Sequence, residues 1–413
     1  MLVIQPDTDT VSDKRTGERT LKESPGGRYY RPELDVLRFG AFVLVFMAHT
    51  LGSVEETRVQ HLLKGFASVF FASVAACRFG LNLFFTLSAF LICELLIREK
   101  ETTSTVRIEQ FYVRRILRIW PLYYLGLAIG VGAALLPGGD PRSIAAIGWF
   151  AIFLSTWTIP AHGVAPNPVF PLWSISVEEQ FYLMAPWLLK YLNRKALYVF
   201  CFVVLLVSNI WLFQLGSVRA PLFRIWANSF VEFEPFAAGI LLCLLLRGRL
   251  PRIAVWQRFI LAAGGWLLWL YACSSLSVVF DPHKNPGSWS LIGGYALGAL
   301  GSVLMVMAFL GIDPSLLPRW AIYLGRISFG LYAYHQFAIY VTSRFLTPWL
   351  TSIPIPSDRL RPLRGFGLDV LAPFVLTVVT ASLSYRFYES RFLKLKKRFT
   401  VIESQPIAGA RPL

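Results

Sequence analysis

Stretches of about twenty mostly apolar residues recur from Leu34 to Phe387, and no other feature constrains the fold as much. A hydrocarbon core about 30 Å thick is crossed by roughly 20 helical residues. Inside it, only helices or closed barrels satisfy every backbone N–H and C=O. The sequence therefore predicts an all-α integral membrane protein. Its 55% hydrophobic and 15% charged residues fit lipid as the main solvent and do not fit an ordinary soluble domain.

Ten transmembrane helices are expected, near 34–53, 78–97, 120–136, 173–190, 197–215, 228–246, 254–274, 290–310, 327–346 and 366–387. The apolar stretch 144–160 is left over. As an eleventh span it would put Lys190, Arg194 and Lys195 outside, against the positive-inside rule. A re-entrant or interfacial segment over 144–172 is expected instead, since Pro160, Pro166, Pro168 and Pro171 break a helix there. With both termini cytoplasmic, the inner segments carry most of the forty Lys and Arg residues.

That topology also accounts for the net charge of +16, because the basic residues lie between spans. A nucleic-acid partner is not expected. Cys77, Cys93, Cys201, Cys243 and Cys273 lie in or beside apolar segments with no metal-ligand spacing, so neither disulfides nor a metal site are expected. Residues 1–33 read as a polar cytoplasmic tail, 34–390 as the transmembrane domain and 391–413 as a basic cytoplasmic tail, with no signal peptide evident.

Within the apolar runs, a few polar residues stand out. Arg38 and His49 are eleven residues apart, which returns them to within about 20° of one helix face and separates them by roughly 16 Å along the axis. Asp35 pairs with Arg38 at i,i+3. An intramembrane arginine costs at least about 2.5 kcal/mol, so an inward polar cavity is the economical explanation, with snorkelling to the interface as the alternative. Arg115 and Arg118 share a face at the membrane edge, suited to the phosphates of an anionic cofactor or to anionic lipid. Glu178 and Glu179 are adjacent carboxylates about 100° apart, so at most one faces a given partner. Glu178 is a candidate to orient His49 and Glu179 to pair with an arginine, although the assignment is open. His335 is either a packing residue or a ligand. Glu232 and Glu234, with Arg224 nearby, are further candidates for cavity lining.

Together these segments resemble the acyltransferase 3 family of bacterial membrane O-acyltransferases. The family pattern R-x10-H is met by Arg38 and His49, and R-x-x-R by Arg115 and Arg118. Trp173-Ser174-Ile175-Ser176-Val177-Glu178-Glu179-Gln180-Phe181-Tyr182-Leu183 is the most specific piece. Ser328 to His335 and Tyr385-Arg386-Phe387-Tyr388-Glu389 resemble late family helices, while Asn82 stands where the family commonly has Asp.

The resemblance implies an enzyme, an acyltransferase moving groups other than aminoacyl groups. It would move an acyl group, acetyl by default, from cytoplasmic acyl-CoA to a hydroxyl of a carbohydrate-containing or glycolipid acceptor at the bacterial inner membrane. Acyl-CoA is then a co-substrate, with no cofactor held permanently. Arg115, Arg118 and Arg38 are expected to engage CoA, and Arg38 to polarise the thioester carbonyl. His49 is the expected general base, since an unperturbed imidazole titrates near about 6.5. Glu178 is grouped with them. Asp35, Ser88, Trp173, Glu179, Tyr182 and His335 are expected to line the substrate path, and a transient acyl-enzyme on His49 or Ser88 is a variant of the scheme. The rival from another class is a transporter or flippase that uses the same buried Arg, His and Glu as a pathway, although no internal repeat favours it.

Overall fold

A computed structural model describes residues 29–52, 66–137, 139–162, 167–276, 286–352, 365, 367–400 and 402. Most of the N-terminal tail lies outside these residues. So do Pro166, Glu55, Glu56, Asp281, Asp358 and most of the tail beyond 400. Among the described residues there are helices and no strands.

The helices run α1 Pro32–Leu51, α2 Ala67–Ala76, α3 Gly80–Thr103, α4 Ile108–Leu135, α5 Arg142–Ala151, α6 Ser155–His162, α7 Trp173–Tyr191, α8 Arg194–Ser217, α9 Leu222–Trp226, α10 Ser229–Leu246, α11 Val255–Ser274 and α12 Ser288–Phe309. They continue with α13 Arg319–Arg326, α14 Ser328–Val341, α15 Thr347–Thr351, α16 Ala372–Ser384 and α17 Ser390–Lys396.

Seven helical stretches among the described residues are long and apolar enough to cross a membrane: 32–51, 67–103, 108–135, 194–217, 229–246, 288–309 and 367–399. They coincide with seven of the ten expected spans. The other three, 173–190, 254–274 and 327–346, are helical but fall short of that standard. α7 contains Glu178, Glu179 and Gln180; α11 carries Gln257 and Arg258 in its first turn; α14 is only 14 residues long and passes into a π-helical turn at Thr342–Leu346. The apolar stretch 144–160 divides into α5 and α6 at Phe153, whose φ is 57°. At 1.5 Å per residue neither piece reaches across 30 Å. The pair is tied to its neighbours: the Tyr123 hydroxyl donates to the Phe150 carbonyl at 2.7 Å, and Gln180 donates to the Phe153 carbonyl at 3.0 Å.

Large side chains such as Phe202, Leu206, Trp256, Phe259 and Leu267 are exposed on the outside of the bundle, as expected where lipid replaces water. The interior holds Glu33, Asp35, Asn82, Glu94, Glu99, Glu232, Glu234 and His335 in buried positions. Helices approach closely at small residues. A Cβ at Gly239 would run into the Thr86 carbonyl where α10 crosses α3, and one at Gly325 would run into the Asp35 carbonyl where α13 crosses α1. The second approach fixes the depth of the α1 segment that carries Asp35 and Arg38.

Candidate active site

α1 begins at Pro32, whose ring presets the first helical φ and whose missing N–H costs nothing at that position. Glu33 and Asp35 fall in the first turn, where carboxylates complement the helix dipole. Asp35 accepts from Arg38 Nη1 at 3.0 Å through Oδ1 and from the Tyr30 hydroxyl at 3.0 Å through Oδ2. Burial, reinforced by the Asp35 carboxylate, pushes the Tyr30 hydroxyl up to about 12, which keeps it a donor. Arg38 is thus held at one end of the bundle.

Toward the other end of α1, His49 Nδ1 lies 2.8 Å from the Val45 carbonyl oxygen. A carbonyl only accepts, so Nδ1 carries the proton and Nε2 presents its lone pair. His49 is exposed although helices surround it, because it forms part of the wall of a cavity of about 320 Å³. The same cavity is lined by Arg78, Asn82, Trp173, Trp226, Glu232, Tyr295 and Tyr332.

Arg38 opens onto different space. A cavity of about 90 Å³ is lined by Arg38, Ser88, Arg115, Arg118, Glu178 and Tyr182, among others. It adjoins one of about 50 Å³ that shares Arg38, Ser88, Arg115 and Arg118 and adds Tyr29, Tyr30, Asp35 and Lys396. Arg115 packs its guanidinium over the Phe111 and Tyr182 rings at 5.3 and 5.2 Å, and its buried Nε has no hydrogen-bond partner among the described residues. The Tyr182 hydroxyl lies 2.8 Å from Ser88 Oγ and donates to Glu178 Oε2 at 3.2 Å. A surplus of guanidinium donors faces few acceptors here, an arrangement suited to a multiply charged anion.

Leu81 and Tyr332 line both the arginine cavity and the histidine cavity. Tyr332 is fixed by donating to the Pro171 carbonyl at 2.6 Å and by Ser174 Oγ, also at 2.6 Å.

Several sequence-based expectations change. Glu178 does not meet His49: it lines the arginine cavity, a helix turn along α7 from the histidine cavity's Trp173. Glu179 pairs with no arginine among the described residues and lines none of the three cavities. It accepts from Trp120 Nε1 at 3.3 Å, because the 100° step from Glu178 turns it toward α4. His335 is fully buried and absent from the cavity walls. It packs behind His49 with ring centroids 5.1 Å apart, its Nδ1 bonded to the Tyr332 carbonyl and its Nε2 without a partner among the described residues. Glu232 does line a cavity, whereas Glu234 accepts from Ser208 at 3.3 Å.

Sequence reasoning missed Arg78, Tyr332 and Lys396. Arg78 lies in the 3-10 turn just before α3, with Asn82 one turn later, and that polar i,i+4 pair in an apolar segment was the available signal. Lys396 was indistinguishable from the other basic residues of its tail.

A bundle of apolar helices enclosing a cationic chamber at one end and an accessible imidazole at the other defines a polytopic protein with a polar interior. The chain belongs to the acyltransferase domain family, whose model matches residues 31–388. It is similar to a Staphylococcus aureus protein provisionally named as an O-acetyltransferase, at 24% identity over 88% of this chain and 58% of that protein. It is also similar to peptidoglycan O-acetyltransferase OatA of Listeria monocytogenes, at 26% identity over 76% of this chain and 51% of that protein. The O-acetyltransferase OatA of Staphylococcus aureus is 22% identical over 88% of this chain and 57% of its own length. The chain thus spans little more than half the length of these curated relatives. No solved structure matches it.

Proposed function

We propose that the chain is a membrane O-acyltransferase that moves an acyl group, acetyl by default, from acyl-CoA to a hydroxyl of a carbohydrate-containing acceptor. In this reading α7, α11 and α14 join the seven apolar stretches to make ten crossings, α5 and α6 form a re-entrant segment, both termini face the cytoplasm, and the membrane is the bacterial inner membrane. Family membership and the names of the relatives support the transfer class. The observation that carries the mechanism is the placement of His49, its Nε2 lone pair at a cavity that abuts the arginine chamber across Leu81 and Tyr332.

The donor enters from the cytoplasmic side, where Arg115 and Arg118 take its phosphates and Arg38 takes a phosphate or the thioester carbonyl oxygen. The acceptor enters the larger cavity. His49 Nε2 removes the hydroxyl proton as the oxygen attacks the thioester carbon. The C–S bond breaks, and the leaving thiolate recovers the proton from the imidazolium. Glu178, held by Tyr182, balances the arginine charge and does not act on the imidazole.

Transfer of label from acetyl-CoA by membranes carrying the wild type, His49→Ala and Arg115→Ala tests the reading. His49→Ala is expected to lose about 10²-fold or more in rate, in line with the usual contribution of a general base, with donor binding retained. Arg115→Ala is expected to weaken donor binding first. Undiminished transfer by folded His49→Ala would remove the histidine from the chemistry.

A further inference from the structure

Two polar residues on the histidine cavity carry buried atoms without partners among the described residues. Asn82 is 7% exposed and Glu232 is 3% exposed. Asn82 Nδ2 and Glu232 Oε2 have no hydrogen-bond partner among the described residues, and both residues line the cavity of about 320 Å³ that holds His49. Leaving such groups unpaired costs on the order of 1–3 kcal/mol each, converted as about a tenfold change in affinity per 1.4 kcal/mol when a ligand pairs them. Unpaired buried groups carried by residues that line an open cavity are therefore evidence of what fills it.

The rest of the wall narrows the ligand class. Trp173 and Trp226 meet with ring centroids 5.2 Å apart, and Phe170 stands edge-on to Trp226 at 5.7 Å. Flat apolar surface of this kind suits the C–H face of a sugar ring, whose hydroxyl edge then needs both a donor and an acceptor. The Asn82 amide supplies the donor and the Glu232 carboxyl the acceptor. The volume lies in the usual range for a small-molecule site of roughly 300–1,000 Å³.

We propose that Asn82 and Glu232 form a sugar-binding subsite that orients the acceptor, holding hydroxyls next to the one presented to His49 and so determining which position is acylated. Glu232 accepts from one hydroxyl while Asn82 donates to another. This rests on the acyl-transfer reading for its consequence, but binding of the sugar does not.

The test separates the two. The full chain in nanodiscs is probed by saturation-transfer NMR with the methyl glycosides of glucose, galactose and N-acetylglucosamine, in the absence of acyl-CoA. The wild type is expected to give transfer to at least one of them. Glu232→Gln and Asn82→Ala are each expected to weaken that signal about tenfold or more, and Arg115→Ala is expected to leave it unchanged. Thermal unfolding of each variant shows that it is folded, and Glu232→Gln is close to isosteric. In the labelled-transfer assay both variants should raise acceptor KM with donor KM unchanged, and the esterified position on the recovered acceptor should become mixed. Absence of a signal with every glycoside for the wild type, or a signal that persists in both folded variants, overturns the subsite. Absence of label transfer by the wild type, with the binding pattern intact, overturns the enzyme reading alone.

Discussion

At the scale of residues, the motifs singled out polar side chains within apolar runs, and the three-dimensional contacts decided which of them meet. Glu178 and Glu179 show the difference. Their 100° separation is a property of any helix and was legible. The rotation of α7 about its axis, which sends Glu178 to the arginine cavity and Glu179 to Trp120, is set by packing and was not. A prediction follows for Glu178→Gln. Removing the charge beside Arg38, Arg115 and Arg118 should change the donor KM while leaving the shape of the pH–rate profile intact. A moved profile would restore the expected link between Glu178 and His49. Arg115→Lys should raise donor KM about tenfold, more than it lowers kcat, because lysine keeps the charge but loses the planar fork and the stacking on Phe111 and Tyr182. Steady-state rates over a range of acyl-CoA concentrations check both.

At the scale of elements, helix positions were legible because hydrophobic runs and polar gaps alternate plainly. The identities of the partners were not, since lipid and protein interior look alike to a sequence. α1 and α13 illustrate this: Gly325 gives no sequence signal beyond its small size, yet it admits the Asp35 backbone. Gly325→Ala must push α13 away from α1, moving the Asp35–Arg38 pair. Overpacking of this kind typically costs about 1–3 kcal/mol. The variant should show a lower midpoint of thermal unfolding and weaker acyl-CoA binding together, whereas an exposed control such as Gly132→Ala, whose Cβ meets nothing within 4 Å, should show neither. The last helix gives a second case. Arg114 donates to the Phe399 carbonyl at 2.9 Å and to Glu99 at 2.8 Å, so Lys396 reaches the chamber because α4 holds its segment.

At the scale of the whole molecule, charge distribution supplied an expected topology that helix lengths alone do not supply. Under that topology Ser104, between α3 and α4, and Asn193, between α7 and α8, face the cytoplasm, and Gly287, at the start of α12, faces outward. The native cysteines are buried, so single introduced cysteines report cleanly. A membrane-impermeant maleimide added to intact cells should label Gly287→Cys and spare Ser104→Cys and Asn193→Cys. Labelling of Asn193→Cys but not Ser104→Cys would turn the α5–α6 segment into a true crossing.

The shared wall formed by Leu81 and Tyr332 has a wider meaning under this reading. The arginine cavity and the histidine cavity share these two side chains in their walls. In the proposed reaction such a bulkhead would let a two-carbon fragment change hands while nucleotide and glycan stay in their own compartments, and would deny protons a continuous water wire. The cell could then decorate its exterior from an interior pool without discharging the gradient on which the same membrane depends.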